Sequence, residues 1–300
     1  MTRAHQQGFS LGELLVSVVL TSLIVSAATA MIVQLSKSER TVWNRTQMHS
    51  SVRGATELLQ QEVGQAGLMA LPGPTTLSAA VNVGSSAATV SSTAGMFVGQ
   101  KLLVDTGENQ ETVTLSAVTL ATNQITASYA LAHASGAALT AAGGFASGVV
   151  PPSMTNGSTG TVLKLYGDVN GDGNMVYVEY TCDTAQHRLS RNMVAWNAAS
   201  KPAVSSAVIL LSNIVANPNG TPCFSYQTEV VAPDTYVLDV AITLTVQTQD
   251  LDPITRRFQT ETKTLLNVSP RNVFNVWEMA SLLQTNRIQP MPSSIANLIR

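Results

Sequence analysis

Asp168, Asn170 and Asp172, with Gly173 after them and Glu179 further on, fit the calcium-loop pattern D-x-[DN]-x-[DN]-G-x5-E at every specified position. Their flanks, TVLKLY and MVYVEYT, alternate like strands, and no helix enters or leaves the loop as a helix–loop–helix calcium site requires. Two readings stand: a β-hairpin with an Asn-Gly-Asp-Gly tip, or a partial calcium site built from Asp168, Asn170 and Asp172, and the two can coexist. A strand over 176–180 would carry Glu179 away from such a site. Cys182 and Cys223 have no CxxC spacing and no histidine cluster, which favours one disulfide in an oxidising compartment over zinc; two buried thiols are the alternative. The histidines, His5, His49, His133 and His187, are scattered, and no GxSxG, HExxH or paired-carboxylate pattern brings a nucleophile to a base, so no enzymatic activity is expected. His133, alone among small residues, reads as structural. The remaining reactive group is Glu13, a carboxylate at the start of an apolar run.

The elements that must position these groups begin with that run. Leu14 to Ser36 is 23 residues without charge or proline. As a helix rising ~1.5 Å per residue it covers about 35 Å, enough for a hydrocarbon core of about 30 Å. Arg3 precedes it, and Ala28-Thr29-Ala30 would serve a secretory signal peptidase, so a cleaved signal and a plain signal anchor both compete with a retained, specialised helix. Glu13 weighs against the first two, because a carboxylate in hydrocarbon costs about 2.5–3.5 kcal/mol even on a lenient scale.

Gly8-Phe9-Ser10-Leu11-Gly12-Glu13-Leu14-Leu15 resembles the type IV prepilin signature, in which a short basic leader ends in Gly, Phe follows, and a Glu lies four residues beyond the Phe. The resemblance implies that a prepilin peptidase cuts between Gly8 and Phe9 and methylates the new amino group of Phe9. It also implies that Glu13 neutralises the N-terminal ammonium of a neighbouring subunit as helices bundle into a filament; a buried charge is tolerable when paired. Gly12 departs from the bulky apolar residue usual there and loosens the first turn by about 1 kcal/mol relative to Ala.

Beyond the run, Met48, Val52, Ala55, Leu59, Val63 and Ala66 form one apolar stripe, with Arg45, Arg53, Glu57 and Glu62 mostly off it, until Gly67 and Pro72-Gly73-Pro74 end the helix. The chain then divides into a leader (1–8), the transmembrane half of a long helix (9–36), its amphipathic half (37–67), an inserted Ser/Thr/Ala-rich β-module (75–150), a β-sheet domain (151–270) and a C-terminal tail (271–300). Within 75–150, AATVSS, QKLLVD, ETVTLSA and QITASY read as strands, with a hairpin turn at Thr106-Gly107-Glu108-Asn109. Tyr236, Leu238, Val240, Ile242, Leu244 and Val246 alternate as one buried strand face, and Arg257 to Leu265 should pair with that strand across an Asp252-Pro253 turn. In the tail, Val273, Trp277, Ala280 and Leu283 share one helical face.

The expected fold is therefore α+β, a long N-terminal helix packed on an antiparallel sheet with an inserted β-module. The layout, including LLQQEVGQAG, NGDG ahead of HRLSRN, and NVSPRN, is similar to that of PilW-like minor pilins. That likeness implies a minor filament subunit that primes type IV pilus assembly or sits near the tip, with prepilin peptidase, other pilins and an inner-membrane assembly platform as partners. It would sit in the inner membrane before assembly and in an extracellular filament afterwards. A minor pseudopilin of type II secretion shares the same plan, and a membrane-anchored or secreted β-rich adhesin is the alternative of another class. With 11% charged residues and a net charge of −2, nothing points to nucleic acid.

Overall fold

The structure, a computed structural model, describes residues 10–300. Gly8 and Phe9, and with them the expected cleavage and methylation, lie outside the described residues.

Helix α1 runs from Leu11 to Gln65 without interruption. Its entry is a capping box: the Ser10 carbonyl accepts the Leu14 amide, the Ser10 hydroxyl accepts the Glu13 amide at 3.3 Å, and the Glu13 carboxylate accepts the Ser10 amide at 3.0 Å. Its exit is a left-handed glycine, Gly67 at φ +82°, as the sequence predicts. There the chain crosses another segment at backbone distance: a Cβ on Gly148 would lie 2.2 Å from the Gly67 Cα, so only glycine fits at that crossing. Among the described residues, this one helix is long and apolar enough to cross a membrane.

The chain groups into two compact units. Of the described residues, the first comprises 10–50 with 247–260, and the second 51–246 with 261–300. The second unit holds nearly all of the sheet structure; the pairings are antiparallel in the sheets built on Lys101–Val104, Gln124–Tyr129, Val176–Asp183 and Phe224–Val231 with Asp234–Gln247, and parallel between Gly144–Phe145 and Ile288–Gln289. After β1 (Thr75–Thr76) and β2 (Gly84–Thr89) come β3 (Lys101–Val104), β4 (Glu111–Thr114), β5 (Ala117–Thr119), β6 (Gln124–Tyr129), β7 (Ala138–Ala141) and β8 (Gly144–Phe145). They form a β1-β7-β3-β4 sheet and a β2-β6-β5 sheet over a shared apolar cluster that includes Leu77, Leu102, Val113, Ile125 and Leu139. The β3–β4 hairpin closes through a short 3-10 turn at Gly107–Asn109, where the turn signal stood in the sequence.

Next are β9 (Val162–Gly167), β10 (Val176–Asp183), β11 (Arg188–Ala195) and β12 (Val208–Leu211), in the order β12-β11-β10-β9. Then β13 (Ile214–Val215), β14 (Phe224–Val231), β15 (Asp234–Gln247) and β16 (Thr260–Val268) gather around the long β15. Helix α2 (Arg271–Ser281), β17 (Ile288–Gln289), which pairs in parallel with β8, and α3 (Ser293–Leu298) complete the chain.

The helix stripe is where periodicity places it: Met48, Val52, Ala55, Leu59, Val63 and Ala66 are all buried. The Tyr236-to-Val246 face of β15 is buried too. Its other face does not follow the expected pattern, because Val237, Thr243 and Thr245 are also buried. Thr245 donates to Asn217 Oδ1 at 2.8 Å, which satisfies a hydroxyl that alternation alone would have left in solvent. In the tail, Val273, Val276 and Ala280 supply the buried face of α2, whereas Leu283 lies beyond the helix and is 84% exposed. The helix ends at Ser281 and Leu283 takes a positive φ, which turns it off the expected face.

Candidate functional site

Among the described residues, the N-terminal segment of α1 is the longest stretch exposed throughout. From Leu11 to Lys37 every residue is exposed, including Leu15, Ile24 and Ile32, so this apolar surface is left for an environment outside the fold. The hydroxyls within it fold back on the helix: Ser17 donates to the Glu13 carbonyl at 2.8 Å, Thr21 to Ser17 and Thr29 to Val25. That arrangement leaves little polar surface facing outward, as a hydrocarbon medium demands. Glu13 has a local role that the motif reading did not foresee. Its carboxylate accepts both the Ser10 amide and the Ser10 hydroxyl, the latter at 2.9 Å. The Ser-x-x-Glu spacing was legible in the sequence and is sufficient reason for a Glu at that position in an isolated chain.

Beyond residue 50, the same helix is tied to the β-structure by a buried charge. Glu62 is 3% exposed. Arg191 of β11 donates to it through Nε (3.1 Å) and Nη2 (2.5 Å), and the Tyr180 hydroxyl of β10 donates to the same carboxylate. Burial, and then the neighbouring Glu62 charge, raise the Tyr180 phenol well above its ordinary value. Glu62 was placed off the apolar stripe in the sequence; it sits on the packed face because two partners from distant strands neutralise and solvate it.

The 168–175 loop joins β9 to β10 as a hairpin connection, with Gly167 opposite Val176. Asp168 is buried, and its two carboxylate oxygens accept the Asp172 and Gly173 amides at 3.0 and 2.9 Å. Asp172 accepts Asn170 Nδ2 at 2.7 Å and the Asn174 amide at 2.8 Å. Those amides, led by the Asn174 backbone, hold its carboxyl below the ordinary range. Each carboxylate oxygen of Asp168 and Asp172 thus has a donor within the loop. Glu179 lies along β10 instead, bonded to the Tyr177 hydroxyl at 2.8 Å and to Lys201 at 3.2 Å. Among the described residues, no group of three or more His, Cys, Asp or Glu is arranged to hold a metal ion.

Cys182, in β10, and Cys223, just before β14, are joined in a disulfide with Cα atoms 6.5 Å apart. The bond ties the β9–β12 sheet to the strands around β15.

His133 is structural in a more specific way than its sequence setting suggests. Its side chain is fully buried, with Nε2 2.6 Å from Glu111 Oε1 and Nδ1 3.4 Å from Asp105 Oδ2. Glu111 also accepts the Ala130 and Leu131 amides at 2.8 and 3.1 Å. Burial works to raise the Glu111 carboxyl, but the His133 contact and the two amides together leave it below its ordinary value. The cluster pins the loop after β6 to the β3–β4 hairpin. No short-range pattern announces it, since His133 lies more than twenty residues from Asp105 and Glu111 of the β3–β4 hairpin.

No protein-family model, no curated protein and no solved structure matches the chain.

Proposed function

We propose that this chain is a structural subunit of a type IV pilus or a related filament, assembled through the first half of α1 after removal of residues 1–8. The observation that carries the reading is the two-part character of one continuous helix. Its first half is apolar and wholly exposed, and its second half is buried along a single stripe. A helix of that build suits a subunit that is held in a bilayer and then exchanges lipid for the helices of its neighbours, since the same bare surface serves both media. The Gly8-Phe9 junction with Glu13 at its fixed spacing supplies the processing signal. In this reading the minor-subunit role is priming or tip placement, prepilin peptidase and an inner-membrane platform are the assembly partners, and the β-structure at 75–150 is an insertion displayed outward.

N-terminal sequencing and intact mass of the protein recovered from membranes test the proposal. The expected chain begins at N-methylated Phe9. A chain beginning at Met31 would mean that a secretory peptidase removes the helix, and the filament reading would be abandoned.

A further inference from the structure

We propose that the 248–259 loop, together with α1 residues 37–46, forms a collar that docks on the outer headgroup surface of the bilayer on the non-cytoplasmic side of the helix. These residues belong to a single compact unit. The loop is fastened to the helix at its base and lies against it at its tip. At its base, Arg45 Nε donates to Gln259 Oε1. At its tip, the Asp252 carboxylate accepts the Ile254 and Thr255 amides at 2.9 and 2.6 Å and lies beside the Thr41 hydroxyl, which donates to the Lys37 carbonyl at 3.1 Å. Gln259 Nε2 closes the loop on Asp252 at 2.8 Å. Thr41 is one helical turn nearer the apolar run than Arg45, so the loop advances from base to tip towards that run.

The depth follows from helix geometry. At an average tilt of about 20° the Leu14–Ser36 run covers about 32 Å, close to the hydrocarbon thickness. Thr41 then lies roughly 7 Å past its end, at the outer edge of the headgroup layer, with Arg45 about 6 Å further out over its surface.

The side chains at that level have interfacial chemistry. Leu251 and Ile254 are each 53% exposed and Phe258 46%; on the helix, Val42 is 61% and Trp43 69% exposed. Thr41 and Arg45 face the loop, while Val42 and Trp43 follow about 100° and 200° further round, so the apolar groups surround the helix rather than line one side. Among them stand Lys37, Arg40, Arg45, Arg256 and Arg257, against Glu39, Asp250 and the internally bonded Asp252. Trp with Arg and Lys, interleaved with aliphatic groups just beyond a spanning run, is the composition that partitions into headgroups, with the cations on lipid phosphates. Apolar groups of this size held in water by a braced loop would otherwise be a standing cost.

The inference rests on α1 crossing the membrane, and the test separates the two. The full chain is reconstituted in vesicles of phosphatidylcholine with phosphatidylglycerol at high lipid excess, carrying one fluorophore at Ile254→Cys, Ser26→Cys or Glu229→Cys; the native cysteines are paired and do not label. The expected result is quenching of the 254 probe by headgroup-labelled lipid, quenching of the 26 probe by chain-labelled lipid, and none at 229. Arg256→Gln with Arg257→Gln should reduce the docked-to-undocked ratio about fivefold per arginine in the anionic vesicles and little in phosphatidylcholine alone. A quenched 26 probe with an unquenched 254 probe overturns the collar and leaves the spanning helix intact. An unquenched 26 probe overturns both. A 254 probe that ignores lipid but shifts as protein density rises assigns this surface to a second copy of the chain, which also overturns the collar.

Discussion

Replacing Glu62 by alanine is expected to destabilise the β-rich unit by about 3–5 kcal/mol, the range for breaking a buried ion pair by removing one partner. The size follows from what is left behind. The Arg191 side chain, 16% exposed, loses the carboxylate it pairs with, and the fully buried Tyr180 hydroxyl loses its acceptor. An unsatisfied buried donor accounts for about 1–3 kcal/mol of that and the stranded guanidinium for the rest. Glu62→Gln should lose less, since it keeps an acceptor for Tyr180 while surrendering the charge. The double variant Glu62→Met with Arg191→Met should recover most of the loss, because an apolar pair of similar volume replaces a desolvated ionic one. Urea unfolding of the full chain in nonionic micelles, followed by fluorescence and far-UV dichroism, gives the free energies. In a thermal scan the alanine variant should melt about 10 °C lower. A loss under about 1 kcal/mol for Glu62→Ala, or strictly additive single and double variants, would refute the view that this carboxylate sits desolvated between helix and sheet.

Four further outcomes are expected. Cys182→Ala with Cys223→Ala should lower unfolding free energy by about 4 kcal/mol in the chain-entropy account of a 41-residue separation, read by urea titration; equal stability of reduced and oxidised protein would contradict it. The Glu111 carboxyl is held low in the folded state, so its contribution is complete above the unfolded value and disappears as pH falls through the lower folded one; the melting temperature should drop between about pH 5 and 3 more steeply in the parent than in Glu111→Gln. Because the 168–175 loop satisfies its own carboxylates, calcium should leave the melting temperature unchanged; a rise that Asp168→Ala with Asp172→Ala abolishes would establish the metal site instead. Glu13→Gln keeps a capping-box partner for Ser10 but removes the charge, whereas Ser10→Ala does the reverse; filament incorporation should fail in the first and persist in the second, and the opposite result would make Glu13 a helix cap and nothing more.

Much of the architecture was legible because it is periodic or local. Met48 through Ala66 repeat at helical spacing, Tyr236 through Val246 repeat at strand spacing, and Gly67, Asn109 and the Asn-Gly-Asp-Gly tip mark chain reversals that depend on neighbouring residues alone. The Ser10–Glu13 cap is equally local, a Ser-x-x-Glu spacing that overlaps the spacing of Glu13 from Phe9. What could not be read were polar groups whose burial depends on partners far along the chain. Counting apolar residues places Glu62 on the solvent side, and only the approach of Tyr180 and Arg191, from strands more than a hundred residues away, makes its burial tolerable. His133 needed Asp105 and Glu111 from a hairpin, and Val237, Thr243 and Thr245 needed a second packed face on β15.

By itself the sequence determined where a helix could cross a bilayer, where it had to become amphipathic, and which two cysteines were there to pair, since hydropathy, period and count are properties of the chain alone. Tertiary structure decided which charges are buried, which faces of a strand are covered, and at what height the 248–259 loop meets the helix, because each of these depends on distances between segments that no local pattern encodes.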